Sequence, residues 1–525
     1  MFLTQLAEQE IAQYVDALIS DKQDRLPEVT LEPIMPGRCG HYCQKSAFNV
    51  EPLTSAQRQT ENAMISTSCG DYPMKRRIFM ACVLGLLSMA HSLAQQGEAL
   101  VAKEADTLLD DALGKGLFSG LVIISHDGKE FYSRQYGFAD WGTQKTIDTT
   151  TLFNIGSLNK QFTEEIVHQL VKEKKLSYDS PLSRYVNLFP VAIGNKITIQ
   201  QLLDMKAGLG DYLRDPGFNK IRFQDFSIDD VLDIIKKEPL LFEPGSNREY
   251  SNSGYVVLGA VIEKVTGKTY EQNVTERIAS PLGLKNIFYT KAEKEKHIER
   301  ASGTTIDFEG HKRSIDDVSN STPAGGIYTN GPELLKFAEA KLRSALPSEK
   351  KYGSGMFAGG TPLWNSVLYY NEKNGYAFVI MANTGNIADE LASRLSSIIK
   401  NESYPPLDLP FSMKLYKTIR EKGVDYVKEN VKELAAEAKV PYDDRFLNYF
   451  GYQFLQADKT DIAIALFRIN IGLFPKVPNT YDSAAEAYLK SGDKANALEY
   501  YKMEMRLDPD NPRVKKTVSD LEAGK

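Results

Sequence analysis

Apolar positions change their spacing several times along the chain, and each change marks an element. Ala105, Leu108, Leu109 and Leu113 recur at helical intervals, predicting an amphipathic helix from about Ala99 to Lys115. Two β-rich runs follow, Gly120-Leu-Val-Ile-Ile-Ser125 and Glu130-Phe-Tyr-Ser-Arg-Gln-Tyr136, joined across His126-Asp-Gly128 as a hairpin. Helices are predicted over Ser157–Lys174 and around Thr198–Met205, Ile228–Lys237 and Tyr255–Thr266. Asn365–Tyr370 and Tyr376–Ala382 flank Asn371–Gly375 as a second hairpin, and Ile387–Lys400 closes the region as a helix. Strands at both ends with helices between them predict an α/β (α+β) domain. Its single antiparallel sheet would carry terminal helices on its face and an inserted helical subdomain.

Tyr404-Pro-Pro-Leu-Asp-Leu-Pro410 reads as a linker, because clustered prolines continue neither helix nor strand. Beyond it, Leu447, Gly451, Phe454, Ala463, Phe467 and Pro475 recur 34 positions later as Tyr481, Ala485, Tyr488, Ala497, Tyr501 and Pro509. Small residues at Gly451 and Ala485, and at Ala463 and Ala497, let paired helices touch while aromatics fill the remaining space. Period and pattern resemble the tetratricopeptide repeat. Pro441 continues the period backwards, so Met413–Lys439 reads as a degenerate earlier unit and Arg513–Leu521 as a cap.

The start of the chain has a different character. Residues 1–73 show no strong periodicity. Met74 is followed by Lys75, Arg76 and Arg77, an apolar run from Ile78 to Ala90, and small residues at Ser92 and Ala94. That is a complete secretory signal, and its apolar run falls short of the ~20 residues that cross a bilayer. The expectation is a secreted or periplasmic protein cleaved near Ala94, with no stable membrane span. Residues 1–73 then read as an unstructured upstream extension before a true start at Met74. Cys39, Cys43, Cys69 and Cys82 all precede the main domain, so its body depends on neither disulfides nor thiolate metal sites. Cys39-Gly-His41-Tyr-Cys43 with Cys69 lacks the second knuckle of a zinc site. A net charge of -6 over 525 residues leaves no basic footprint for nucleic acid and no polybasic membrane patch.

The candidate chemistry begins at Phe153-Asn-Ile-Gly-Ser157-Leu-Asn-Lys160-Gln-Phe-Thr163. Ser157 and Lys160 lie one turn apart on one face of a helix start. Serine needs a base within hydrogen-bond reach, and a desolvated lysine loses its proton readily enough to be one. The helix start places its positive end beneath the reacting carbonyl.

This motif resembles the serine β-lactamases, D-alanyl-D-alanine peptidases and related esterases, most closely the class C and esterase-like branch, over most of Phe118–Thr384. The family's Tyr-x-Asn loop is matched by Pro244-Gly-Ser-Asn-Arg-Glu-Tyr250-Ser-Asn252. The resemblance implies that Tyr250 shares the acid and base work, relaying a proton to the leaving group. It implies that Asn252 holds Lys160 and the substrate amide. Ile197–Leu203 with Gly208-Leu-Gly-Asp-Tyr212 resembles the helix and turn lining such sites, although Met205-Lys206-Ala207 replaces the usual His-Thr-Ser. Ala324-Gly-Gly-Ile-Tyr328 resembles the small-residue segment that returns to the sheet.

The third family element, His-x-Gly or Lys-Thr-Gly, is altered. Phe357-Ala358-Gly359-Gly360 stands there, preceded by a short Glu333–Met356 stretch that reads as a deletion. The family's oxyanion hole uses backbone N–H groups, here those of Ser157 and Gly360, which do not depend on side chains. Phe357 supplies no charged donor for a substrate carboxylate. The expected protein is therefore an exported serine hydrolase forming an acyl-enzyme on an ester, amide or β-lactam, impaired by the altered third motif so that penicillins and D-Ala-D-Ala peptides acylate poorly and neutral esters or amides are preferred. The alternative is a non-catalytic penicillin-binding-like fold acting as an interaction module through its repeats. No cofactor and no metal are expected, since none of the six histidines shows a ligand spacing. His168 stands eleven residues beyond Ser157 on the same helix, about 16 Å away by helix rise, and is not a triad member. The predicted partners are a small-molecule or peptide substrate and a protein bound by the repeats. The predicted segments are 1–73, the signal 74–94, the hydrolase domain 95–403, the linker 404–411 and the helical domain 412–525.

Overall fold

A computed structural model describes residues 95–523, apart from 297–298, 316–319 and 362. The predicted signal segment, the upstream extension and all four cysteines lie outside the described residues. From Ala102 onward the described residues belong to one compact unit.

Helix α1 spans residues 95–114, and within it Ala105, Leu108 and Leu109 are buried as the pattern predicts, with Leu113 half-buried. Asp106 on this helix accepts from Tyr132 Oη at 2.8 Å and so ties it to the sheet. The sheet strands are β1 (Gly120–His126) and β2 (Lys129–Tyr136), then β5 (Ser354–Thr361), β6 (Trp364–Asn371) and β7 (Tyr376–Ala382). A separate hairpin, β3 (Gly303–Ile306) with β4 (Lys312–Ile315), stands between the two groups. All five sheet strands pair antiparallel in the order β2-β1-β7-β6-β5. Asp127 and Gly128 both take positive φ, 50° and 78°, the turn that matches the twist of a two-residue hairpin.

The central strands carry unbroken apolar runs because both sheet faces are covered. β7 is buried at every position, as expected of a strand packed on two sides. Helices α4 (Gly331–Leu342) and α5 (Ile387–Ile399) cover β6 and β7. By contrast, the edge strand β5 alternates between exposed positions and more covered ones, with Met356 left 49% exposed and only Gly359 buried.

Helix α2 (Asn159–Lys172) runs through the middle of the inserted helical region, with Phe162, Ile166, Val167 and Leu170 fully enclosed. Phe162 stacks on Phe337 of α4 at 4.2 Å between ring centres. This anchors the helix that carries the candidate nucleophile. Helix α3 (Asn252–Thr266) packs beside it.

The predicted linker has no regular structure, but it is held in place: Arg394 donates to the carbonyls of Pro405 and Pro406 at 3.0 and 2.9 Å. After it come α6 (Asp444–Gln456), α7 (Thr460–Leu473), α8 (Pro478–Lys490), α9 (Lys494–Leu507) and α10 (Pro512–Glu522). The bounds of α6 and α7 reappear in α8 and α9 with a shift of 34. A Cβ on Gly451 would meet the Phe467 ring at 2.4 Å, so a smaller side chain than alanine is required there. One turn of the period earlier, Phe411–Lys422 is a single helix, while its partner is broken at Asn430 into Val424–Glu429 and Val431–Glu437.

The β3–β4 hairpin, absent from the predicted elements, reaches these helices. Phe308 at its tip stacks on Tyr416 at 5.7 Å between ring centres and meets Phe454 at a tilt at 4.5 Å, while Glu309 accepts from Lys459 at 2.7 Å. No helix among the described residues is long and apolar enough to cross a membrane.

Candidate active site

The site forms where the start of α2 meets the edge strand β5. Gly156 has φ +48°, and a Cβ there would lie 2.4 Å from the Gly360 nitrogen. A Cβ on Gly359 would meet Ile155 O at 2.2 Å and Ser157 N at 2.6 Å. Backbone therefore touches backbone across this junction, and only glycine allows it. A short 3-10 turn, Gly156–Leu158, presents Ser157 at the head of the helix.

Three groups converge there. Lys160 Nζ lies 3.0 Å from Ser157 Oγ, 2.6 Å from Asn252 Oδ1 and 2.7 Å from Ala324 O. Tyr250 Oη lies 2.7 Å from Ser157 Oγ, and its ring centre is 5.0 Å from Lys160 Nζ. Burial drives the Lys160 pKa down to about 7 against the opposing pull of Asp211. Burial pushes the Tyr250 phenol up to about 12, with its Ser157 hydrogen bond acting the other way. Near neutral pH the amine is the group that loses its proton, and the phenol keeps its own. A neutral Lys160 still donates two hydrogens, to Asn252 and Ala324, leaving its lone pair for the serine hydroxyl.

Asn252 is itself held. Its Nδ2 donates to Asp211 Oδ2 at 2.8 Å, which turns Oδ1 towards Lys160. Asp211 was within the motif Gly208–Tyr212 but was not singled out from sequence. Its acidic side chain one residue before a buried tyrosine was the available signal. The Thr322–Gly326 loop forms the back wall. Its carbonyls at Thr322, Pro323, Ala324 and Gly326 each accept from a side chain: Asn159, Thr163, Lys160 and Lys294, at 2.6–2.7 Å.

Ser157, Lys160, Tyr250 and Asn252 are thus brought together, and Gly359 and Gly360 lie against the serine backbone. Phe357 and Ala358 line the same cleft from β5. Phe357 is half-buried, stacked on Tyr370 at 6.2 Å between ring centres. Behind it Lys341, 1% exposed, bonds to Gln161 Oε1 and lies 5.3 Å from the Phe357 ring centre. Burial lowers the Lys341 pKa to about 8. His168 is buried far from Ser157, bonded to Tyr178 Oη at 2.7 Å and Glu164 at 3.1 Å.

The cleft has a volume of about 890 Å³ and follows one face of α2 from Ser157 through Lys160, Gln161 and Glu164 to His168. Lys350 closes its far end, with Nζ 2.5 Å from His168 Nε2 and 3.6 Å from Glu164 Oε1. Gln200, Asp204, Met205, Lys206 and Arg248 form the facing wall. Sequence reasoning did not anticipate this extension. It lies beside the Glu333–Met356 stretch, whose Lys341, Ser348, Lys350 and Tyr352 bond to Gln161, Glu165 and His168 of α2.

A helix-borne Ser and Lys faced by a Tyr-x-Asn loop, on a five-stranded antiparallel sheet flanked by helices, define the β-lactamase-like class of fold. The Beta-lactamase family model matches residues 105–398, more than half of the chain, and the chain belongs to that family. The matched region ends ahead of the linker. Similar proteins include the "Putative penicillin-binding protein PbpX" of Bacillus subtilis, 29% identical over 264 residues, which are 50% of this chain and 64% of that protein. Another is "Esterase EstB" of Burkholderia gladioli, 32% identical over 276 residues, covering 46% of this chain and 70% of that protein. The fold is shared with the octameric penicillin-binding protein homologue from Pyrococcus abyssi, at a TM-score of 0.52 and 21% identity over 61% of this chain and 82% of that one.

Proposed function

We propose that the chain is an exported serine hydrolase that cleaves an ester or amide through an acyl-enzyme on Ser157. The observation that carries this reading is the simultaneous approach of Tyr250 Oη and Lys160 Nζ to Ser157 Oγ, at 2.7 and 3.0 Å. Neutral Lys160 takes the serine proton as Oγ bonds to the carbonyl carbon. The backbone N–H groups of Ser157 and Gly360 receive the oxyanion. Tyr250 gives its proton to the leaving group and is reprotonated from Lys160. Water then repeats the sequence on the acyl-enzyme. Relatives that bear the names penicillin-binding protein and esterase support this substrate range.

Phe357 sets the preference next to the scissile bond. An aromatic ring there offers no donor to a carboxylate, so neutral groups are favoured at that position over penicillins and D-Ala-D-Ala peptides. The paired helices after the linker would be tetratricopeptide repeats that bind a protein partner. Phe357 is also the observation that favours a non-catalytic scaffold. Labelling with a fluorophosphonate probe separates the two readings. Labelling of the full chain, absent in Ser157→Ala, is the expected result; no labelling of folded protein would favour the scaffold.

A further inference from the structure

The charges lining the cleft do not balance. Lys206, Arg248 and Lys350 line it, against Glu164 and Asp204, in a chain whose net charge is -6. Glu164 is occupied by His168 and Lys350, and Asp204 accepts from Gln200 at 2.9 Å. Lys206 and Arg248, in contrast, have no ion-pair or side-chain hydrogen-bond partner among the described residues. Both come from backbone segments that are bonded together: Gly245 N donates to Lys206 O at 2.8 Å and Glu249 N to Met205 O at 3.1 Å. Two cations from adjoining backbone segments therefore line the cleft, with Arg248 two residues before Tyr250.

We propose that this wall reads a single carboxylate at the distal end of the substrate, with Arg248 and Lys206 as the specificity-determining residues. The proposal rests on the hydrolase reading above and names its substrate class: esters or amides that are neutral at the scissile bond and carry a carboxylate further along the same arm. A guanidinium suits a carboxylate because its planar fork donates to both oxygens. Lys350 at the far end of the cleft adds to the positive field, which a cleft with low-dielectric walls focuses. Glu164 and Asp204 in the same cleft oppose a dianion, so one negative charge fits better than a phosphate. The charge that Phe357 removes from beside the scissile carbonyl is thus supplied further along the cleft.

The test compares mono-p-nitrophenyl suberate with its methyl ester as substrates for the full chain. At low ionic strength kcat/KM for the acid should exceed that for the neutral ester by roughly tenfold, a ratio that salt and the Lys206→Met/Arg248→Met double variant bring towards one. A ratio of one or below in the unaltered protein, or one unmoved by the double variant, would overturn the proposal. Binding to Ser157→Ala gives a reading that needs no turnover. By calorimetry, monomethyl suberate should bind more tightly than its neutral amide, and the double variant should erase the difference. If that preference is present without any hydrolysis, only the hydrolase reading fails; if it is absent, the carboxylate proposal fails whether or not esters are cleaved.

Discussion

The two walls that meet at Ser157 are built differently. The helix-and-loop wall is a polar network in which Tyr250 bonds to Ser157, Ser157 to Lys160, Lys160 to Asn252 and Asn252 to Asp211. The strand wall offers backbone and an aromatic ring: Gly359 and Gly360 against the serine, and Phe357 where a charged residue is usual in the family. The difference separates proton transfer from charge recognition. The first depends on side chains that are all present. The second has left β5, and the cations that remain in the cleft stand elsewhere.

Removing the amine attacks the network wall at its centre. Lys160→Met should lower ester hydrolysis roughly a thousandfold, the range for a positioned base, as measured by kcat/KM at constant folded fraction. Damage to the strand wall should cost less but still show. Gly359→Ala places a Cβ against the Ile155 carbonyl, which cannot swing away, so β5 must move off the helix start. A loss of about a hundredfold is expected through the displaced backbone donor, with sheet signals in circular dichroism retained.

Asp211→Asn is milder and tests direction. The carboxylate raises the Lys160 pKa while burial lowers it. Activity needs the neutral amine, so kcat/KM should rise with pH through about 7 in the unaltered protein. Without the negative charge the ammonium is less favoured, and this acid limb should shift to lower pH, read directly from a pH–rate profile. An unmoved limb would mean that another group sets it. The smallest effect is expected from Phe357→His, which restores a donor to the strand wall. Turnover of substrates with a carboxylate beside the scissile bond should improve several-fold, with neutral esters as the reference.

Much of this architecture was legible because it is written in local pattern. Both hairpins, the helix after Ser157 and the helix from Ile387 were anticipated, since alternation, turn residues and helical spacing act over short stretches. The helical starts at Asn252 and Asn159 differ from the predicted Tyr255 and Ser157 because tertiary packing, not propensity, decides where a turn begins. The β3–β4 hairpin was missed: its short strands, Gly303–Ile306 and Lys312–Ile315, are too polar to show a buried face. Its purpose appears only when Phe308 meets Tyr416 and Phe454, over a hundred residues away.

The same division runs through the site. Sequence alone determined the residue types, their order and the two glycines that let β5 approach the serine, because motif spacing along one helix or one turn fixes which side chains share a face. It also exposed the loss at Phe357. Tertiary structure decided the rest. Desolvation of Lys160, the Asp211 hold on Asn252 and the cleft along α2 all depend on which distant segments fill or leave space. A depressed lysine pKa and an unpartnered pair of cations are properties of surroundings, and surroundings exist only once the chain has folded.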